Sequence, residues 1–311
     1  MMARKIPNIV KQIKNYTYPK LNYSFQHSVS YSQLQTYLSC PHKWQLQYKD
    51  NVGMFDYNIY MIFGSALHEV LQKYITMIYE ESGASADRFE IEEYFKKKFF
   101  EIYDTNQKRN KGIHFSSPSE MREFYNDGLD IINFIKKNRG AYFSKKGWHL
   151  VGIEVPLLVK PNDFLNNTFF KGYLDLVFYH EPTNKFKIVD IKTSTNGWNK
   201  YKKKDEKKSF QLILYKNYFS KQFDIPKENI EVEFFIVKRK LYKDVDFAQK
   251  RVQEFIPANG KNKTNKATKA LSDFISECFD NDGKIKDKEH KKFVGKQCDW
   301  CIFSEKNICK K

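Results

Sequence analysis

Long apolar runs are missing from this chain. No stretch approaches the ~18 consecutive apolar residues that a membrane-spanning helix needs, so no membrane partner is expected. Glycine and proline are sparse, at 13 and 9 of 311 residues, which argues against a disordered or linker-like polymer. Cysteine is scarcer still and odd in number, five in all, which argues against a disulfide framework and for a reducing, cytoplasmic compartment. Residues Met1 to Leu21 are basic but lack the apolar core of a secretory signal, and their single arginine makes a poor mitochondrial presequence. No Gly-x-x-x-x-Gly-Lys-Ser/Thr loop is present, so any ATP-driven step would have to come from a partner.

What the chain does contain is aromatic and basic. Apolar residues make up 41%, with 27 Phe and 20 Tyr, enough for a well-packed core of one large domain or two small ones. Lysine and arginine outnumber aspartate and glutamate 54 to 37, a formal charge of +17. Nucleic acid is the commonest partner for such an excess, because cationic side chains displace condensed counterions from phosphates. The plainer alternative is a lysine-biased soluble protein from an AT-rich genome.

Periodicity divides the chain in two. Residues 1–27 read as a loosely ordered basic arm. Ser30-Tyr-Ser-Gln33 has the form of a capping box, opening a helix that Pro41 interrupts before about Tyr48. Helical patterns follow over Ile62–Glu80, Phe89–Tyr103 and Glu120–Lys137, completing a helical region over 28–147. From Trp148 the period shortens to two. Strands are expected at Val151–Val155, on both sides of Pro182, at Glu231–Lys238 and near Arg251–Ile256, with a helix at Phe210–Phe219. This core spans 148–257. Asn259 to Lys266 reads as a polar basic loop, Lys266–Phe279 as a helix, and the remainder of 258–311 as a lysine-rich tail with cysteines. No internal repeat is visible. The order of elements gives an α/β class: a mixed central sheet flanked by helices, with an N-terminal helical layer.

The chemistry concentrates in one hairpin, Lys171-Gly-Tyr-Leu-Asp175 through Glu181-Pro-Thr-Asn184 to Asp190-Ile-Lys192. If it folds symmetrically about Pro182-Thr183, Asp175 faces Asp190, with Cβ atoms roughly 5 Å apart. Lys192 shares the face of Asp190 because the strand period is two. Two adjacent carboxylates repel unless a cation lies between them, and a divalent metal beside a lysine suits phosphodiester hydrolysis. A turn one residue shorter would send one carboxylate to the other face. The bland alternative is a solvated, charged hairpin.

Further candidates lie on helices. Gln211 and Tyr215 share a face at i, i+4 and can bond a phosphate or orient a lysine and a water. His68, in Gly64-Ser-Ala-Leu-His68, offers an imidazole suited to Mn²⁺, although a lone helical histidine is more often a packing residue. Glu154 is placed behind the metal ligands or at a strand end.

The ordered set Gly-x-x-x-His, Gly-x-x-Asp, Asp-x-Lys and Gln-x-x-x-Tyr resembles the RecB-like branch of the PD-(D/E)XK nuclease superfamily. Tyr31-Ser-Gln-Leu-Gln-Thr-Tyr-Leu-Ser-Cys40-Pro-His-Lys-Trp44 also looks like that family's N-terminal helix, and the likeness runs from Ser30 to Cys309. It implies a restriction-endonuclease-like core with Mg²⁺ or Mn²⁺ held by His68, Asp175, Asp190 and the Ile191 carbonyl. In that scheme Lys192 positions and helps deprotonate water or stabilises negative charge, while Gln211 and Tyr215 hold Lys192 and the DNA. Asp190 stands where many relatives carry Glu.

Cys298-Asp-Trp-Cys301 and Cys309, with Cys40 far upstream, resemble the ligands of a 4Fe–4S cluster in the AddB-type and CRISPR-associated nucleases, a resemblance compatible with a phage source for this chain. The seven residues between Cys301 and Cys309 exceed the usual spacing, and a Cys₄ zinc site takes the same ligands. Cys278 reads as a buried free thiol. The resemblance implies a DNA exonuclease acting on single-stranded ends, in recombination, repair or replication, with a possible helicase or recombination partner. If the source is a phage, the compartment is the host cytoplasm. Alternatives are a structure-specific endonuclease and a catalytically silent DNA-binding component. The presence of Asp175, Asp190, Lys192 and Gln211 together favours an enzyme.

Overall fold

The computed structural model describes residues 6–22, 26–53, 57–161 and 167–309. Its centre is β3 (Thr168–His180), a strand long enough to carry three neighbours. Along one edge β2 (Trp148–Val159) runs antiparallel, paired from Phe170 to His180. Two strands share the other edge. β1 (His27–Ser30) lies parallel to Thr168–Lys171, and β4 (Lys185–Ser194) lies antiparallel to Leu176–His180. Residues 172–175 have no ladder partner on that edge, so the sheet forks there. β5 (Ile230–Lys238) continues the sheet parallel to β4, and β6 (Val252–Phe255) closes it antiparallel to β5. The result is a six-stranded mixed sheet flanked by helices, the restriction-endonuclease-like α/β architecture.

The β3–β4 hairpin has the expected register. Leu176 faces Val189 and His180 faces Lys185, across a 3₁₀ turn at Glu181–Thr183 that ends on Asn184 in the left-handed region. Asparagine tolerates that conformation, which is why this turn holds the register. The ladder stops one pair before Asp175 and Asp190, leaving both carboxylates at the fork.

Each face of the sheet buries its own apolar core. One face carries α2 (Tyr31–Ser39), α9 (Glu206–Phe223) and α10 (Lys261–Cys278), packed around Trp44, Phe170, Leu214, Phe234 and Phe274. The other carries α4 (Ile59–Glu80), α6 (Ile91–Arg109) and α7 (Pro118–Tyr142), around Phe63, Val70, Phe95 and Ile132. The helical region expected as one unit over 28–147 is therefore divided between the two faces. Asp127 on α7 and Arg239 just after β5 form a buried ion pair between helix and sheet, with the guanidinium 4.0 Å from the centre of the Phe124 ring.

Local chemistry explains the element ends. The Ser30 hydroxyl caps α2 by accepting the Gln33 amide, and Pro41 opens a separate turn, α3 (Pro41–Trp44), as its fixed φ favours. Two expectations need correction. The basic arm holds a helix, α1 (Asn8–Lys14), whose Val10 and Ile13 are buried in the α9-side core. An i, i+3 apolar pair in seven residues is too short a signal to read alone. The loop expected at 259–266 is largely the first turns of α10, which starts at Lys261 because Lys263 and Lys266 pair with Glu206 of α9. Between α4 and α6 lies the short α5 (Gly83–Arg88). No helix among the described residues is long and apolar enough to cross a membrane.

Candidate active site

The site forms where the sheet forks. On β2 the pairs Ile153–Leu176 and Val155–Leu174 set Glu154 abreast of Asp175. Glu154 has φ +48, a left-handed conformation in mid-strand that costs a non-glycine residue about 1–3 kcal/mol. The buried side chains of β3 change sides here too: Phe170 and Leu174 belong to the α9-side core, Leu176 and Phe178 to the α4-side core. The break in alternation is what brings two neighbouring carboxylates to one point.

From α4, His68 reaches the same point. Its Nε2–H donates to the Ile191 carbonyl at 2.8 Å and lies 3.2 Å from Asp175 Oδ2. The donor atoms of His68, Glu154 and Asp175 all fall within 4.8 Å of one another. Asp175 Oδ2 also accepts the Ile191 amide at 2.7 Å. Burial favours the neutral ring of His68, but the hydrogen bond and charge of Asp175, the Ile191 carbonyl and Asp190 outweigh it and raise its pKa to about 9. Gly64, one turn earlier, lets α4 approach β4: a Cβ there would lie 3.1 Å from the Thr193 hydroxyl.

Asp190 is buried on β4. Its Oδ1 accepts from Gln211 Nε2 at 2.7 Å, and its Oδ2 forms a 2.7 Å ion pair with Lys192. That contact lies off the line of a hydrogen bond, so the buried Oδ2 has no aligned donor. Burial raises the Asp190 pKa despite the opposing pull of Lys192, and repulsion from Asp175 adds to the rise. Burial works against the Lys192 ammonium, yet Asp190 and Asp175 more than offset it and hold the lysine cationic. Gln211 also lies 3.4 Å from the Tyr215 hydroxyl. The Tyr215 ring packs over Gly172, where an added Cβ would stand 2.8 Å from a ring carbon. The glycine of Gly-x-x-Asp is thus required by a tyrosine from α9.

His68, Asp175 and the Ile191 carbonyl meet as the motifs suggest. Glu154 stands among the donor atoms rather than behind them. Gln211 holds Asp190, not Lys192. Sequence reasoning passed over Gln72, one turn beyond His68, whose Nε2 donates to Glu154 Oε1 at 2.6 Å. The i, i+4 spacing from His68 was the available signal. These donors suit a divalent cation: clustered carboxylates, an imidazole, a carbonyl and a buried oxygen without an aligned donor. A cleft of about 480 Å³ opens beside them, lined by Ser30, Tyr31, Glu154, Lys171, Tyr173 and Asp175.

Beyond the end of α2, Cys40, Cys298, Cys301 and Cys309 line one cavity of about 50 Å³, with no disulfide among them. The Phe293 amide points at Cys40 Sγ, 3.5 Å away. Burial raises the pKa of Cys309, and the other three sulfurs add to the rise, with Lys292 opposing them. Cys278 is buried in the core, where desolvation pushes its thiol up to about 12.

No individually curated protein matches the chain. A family model, that of the PD-(D/E)XK nuclease superfamily, matches residues 28–310, spanning every element that builds the site. The match carries metal-dependent hydrolysis of phosphodiester bonds, with DNA as substrate. By that match, nearly the length of the chain, the protein belongs to the PD-(D/E)XK nuclease superfamily.

Proposed function

We propose that the protein is an exonuclease that degrades single-stranded DNA from its ends, with Mg²⁺ or Mn²⁺ held by His68, Glu154, Asp175, Asp190 and the Ile191 carbonyl. The convergence of His68, Glu154 and Asp175 within 4.8 Å, beside the Asp190–Lys192 pair, is the observation that carries it. A bound cation would neutralise the carboxylates and the scissile phosphate and acidify water. The remaining work falls to the chain. Lys192, kept cationic by its two aspartates, offsets the negative charge that develops as water adds to phosphorus and the P–O bond breaks. Gln211 fixes the Asp190 carboxylate, and Gln72 fixes Glu154. Tyr173, exposed at the cleft, with the overall positive charge, suits an unpaired strand.

Cys40, Cys298, Cys301 and Cys309, gathered at one cavity, would serve as the four thiolate ligands of a 4Fe–4S cluster, with zinc as the alternative on the same ligands.

End-labelled linear and covalently closed circular single-stranded DNA, incubated with Mn²⁺ or EDTA, test the activity. Wild type should degrade only the linear form, only with Mn²⁺, and Lys192→Ala should lose at least ~10²-fold in rate, as for loss of a charge-stabilising group. Cleavage of the circle would make the protein an endonuclease. Binding without cleavage would leave a silent DNA-binding component.

A further inference from the structure

Past the end of β4 the chain turns at Gly197 (φ +89) into α8 (Lys200–Lys204), a short helix carrying four lysines and one tyrosine. The approach is rigidly held. The Ser194 hydroxyl donates to the Gly197 carbonyl at 3.0 Å. Gln253 on β6 takes the Trp198 amide at 2.8 Å and returns a bond to its carbonyl at 3.2 Å. The Trp198 ring is buried against Phe234, and Asn199 caps the helix by accepting the Lys202 amide.

The lysines on this helix lack what the other helices provide. Lys263, Lys266 and Lys269 on α10 each meet a carboxylate. Among the described residues none of Lys200, Lys202, Lys203 and Lys204 does. Three of them lie over aromatic rings instead: Lys202 Nζ is 5.2 Å from the centre of Trp198, Lys203 Nζ 5.7 Å from Phe255, and Lys200 Nζ 5.2 Å from Tyr201. Aromatic faces fix the ammonium groups without neutralising them. Ser194 ties this turn to the strand that carries Lys192, and α8 begins eight residues after that lysine. Burial, then the like charges of Lys208 and Lys192, hold the Lys202 pKa below the ordinary lysine value. Ammonium groups held over rings with no carboxylate to pair them make a place for an anion. Tyr201, 72% exposed, projects from the same turn.

We propose that α8 is the landing for the nucleotides flanking the scissile phosphate of a single DNA strand, Lys202 and Lys203 taking phosphates and Tyr201 stacking an unpaired base. The inference rests on the nuclease reading and adds to it which strand form is gripped, and where. A stacked base on Tyr201 requires unpaired DNA, whereas phosphate contacts alone would serve a duplex equally.

Fluorescence anisotropy in EDTA tests it, using the full chain, a fluorescein-labelled oligothymidylate and a blunt duplex over a range of KCl concentrations. Each phosphate contact to a single strand contributes about 0.7 to the slope of log K against log salt. The Lys202→Gln/Lys203→Gln double variant should therefore lower the slope by about 1.4, and Lys202→Arg/Lys203→Arg should restore it. Tyr201→Ala should keep the slope and weaken oligothymidylate binding roughly fivefold to a hundredfold, with no effect on blunt duplex. An unchanged slope in the double variant overturns the proposal, as does equal weakening of both DNAs by Tyr201→Ala. If wild type cleaves DNA and the α8 variants bind as it does, only the role of α8 falls. If wild type neither binds nor cleaves, the nuclease reading falls with it.

Discussion

His68 holds its proton in the wrong place for a ligand. Its Nε2–H is spent on the Ile191 carbonyl, and its pKa stands near 9 in the metal-free protein, so a cation must displace that proton. The sign follows directly. A raised pKa means that protonated His68 stabilises the metal-free fold fully below its ordinary value of 6.5, and this stabilisation is lost as pH rises through about 9. Metal binding runs the other way. Titration calorimetry with Mn²⁺ should show affinity rising by up to about tenfold per pH unit between roughly 6.5 and 9, and His68→Asn should flatten the dependence. A wild-type affinity independent of pH would remove His68 from the ligand set. Glu154 shows a second residue-scale tension: its left-handed backbone is strained in a strand, and the strain is what carries its carboxylate to Asp175.

At the scale of elements, close approach decides more than propensity. Alanine is a better helix former than glycine by about 1 kcal/mol, so Gly128→Ala on α7 would stabilise an isolated helix. In the protein a Cβ at 128 would sit 2.2 Å from a ring carbon of Phe95 on α6. The ring is fully buried and cannot swing away, so thermal unfolding should show a net loss of about 1–3 kcal/mol. An unchanged or raised Tm would mean that α6 and α7 are free to separate. The same logic governs Gly172 beneath Tyr215, although there the contact belongs to the site. The hairpin was legible in the sequence because turn chemistry and alternation are local, and its register emerged as read. The early start of α10 was not, because it depends on Glu206 of a different helix.

Across the whole molecule, the cysteines join distant parts of the chain. Cys40 follows α2, whose first residue, Tyr31, donates to the Lys207 carbonyl beside the active site. Cys298, Cys301 and Cys309 come from the C-terminal tail, and the Lys49 ammonium adds a bond to the Lys288 carbonyl. A cluster binding all four would close a loop of more than 250 residues, which stabilises chiefly by restricting the unfolded chain. Cys301→Ala should therefore lose iron and acid-labile sulfide and lower the Tm, while Cys278→Ala should keep both iron and sulfide because its thiol lies apart in the core. Equal metal in the two variants would rule out the tail cysteines as ligands, and zinc without sulfide in wild type would replace the cluster by a zinc site.

Sequence by itself determined the local chemistry: the α/β order of elements, the hairpin register, the Ser30 cap, and the ordered motifs containing His68, Asp175, Asp190, Lys192, Gln211 and Tyr215. These follow from side-chain period, turn residues and spacing, all of which act within a few residues. Only the tertiary structure decided that β1 and β4 share one edge of β3 and leave a fork, that Glu154 bends out of its strand to join Asp175, and that Gln72 and Gln211 each hold a carboxylate. Those outcomes depend on contacts between residues far apart in the chain. A one-dimensional pattern carries the chemical type of each partner but not the packing that selects it.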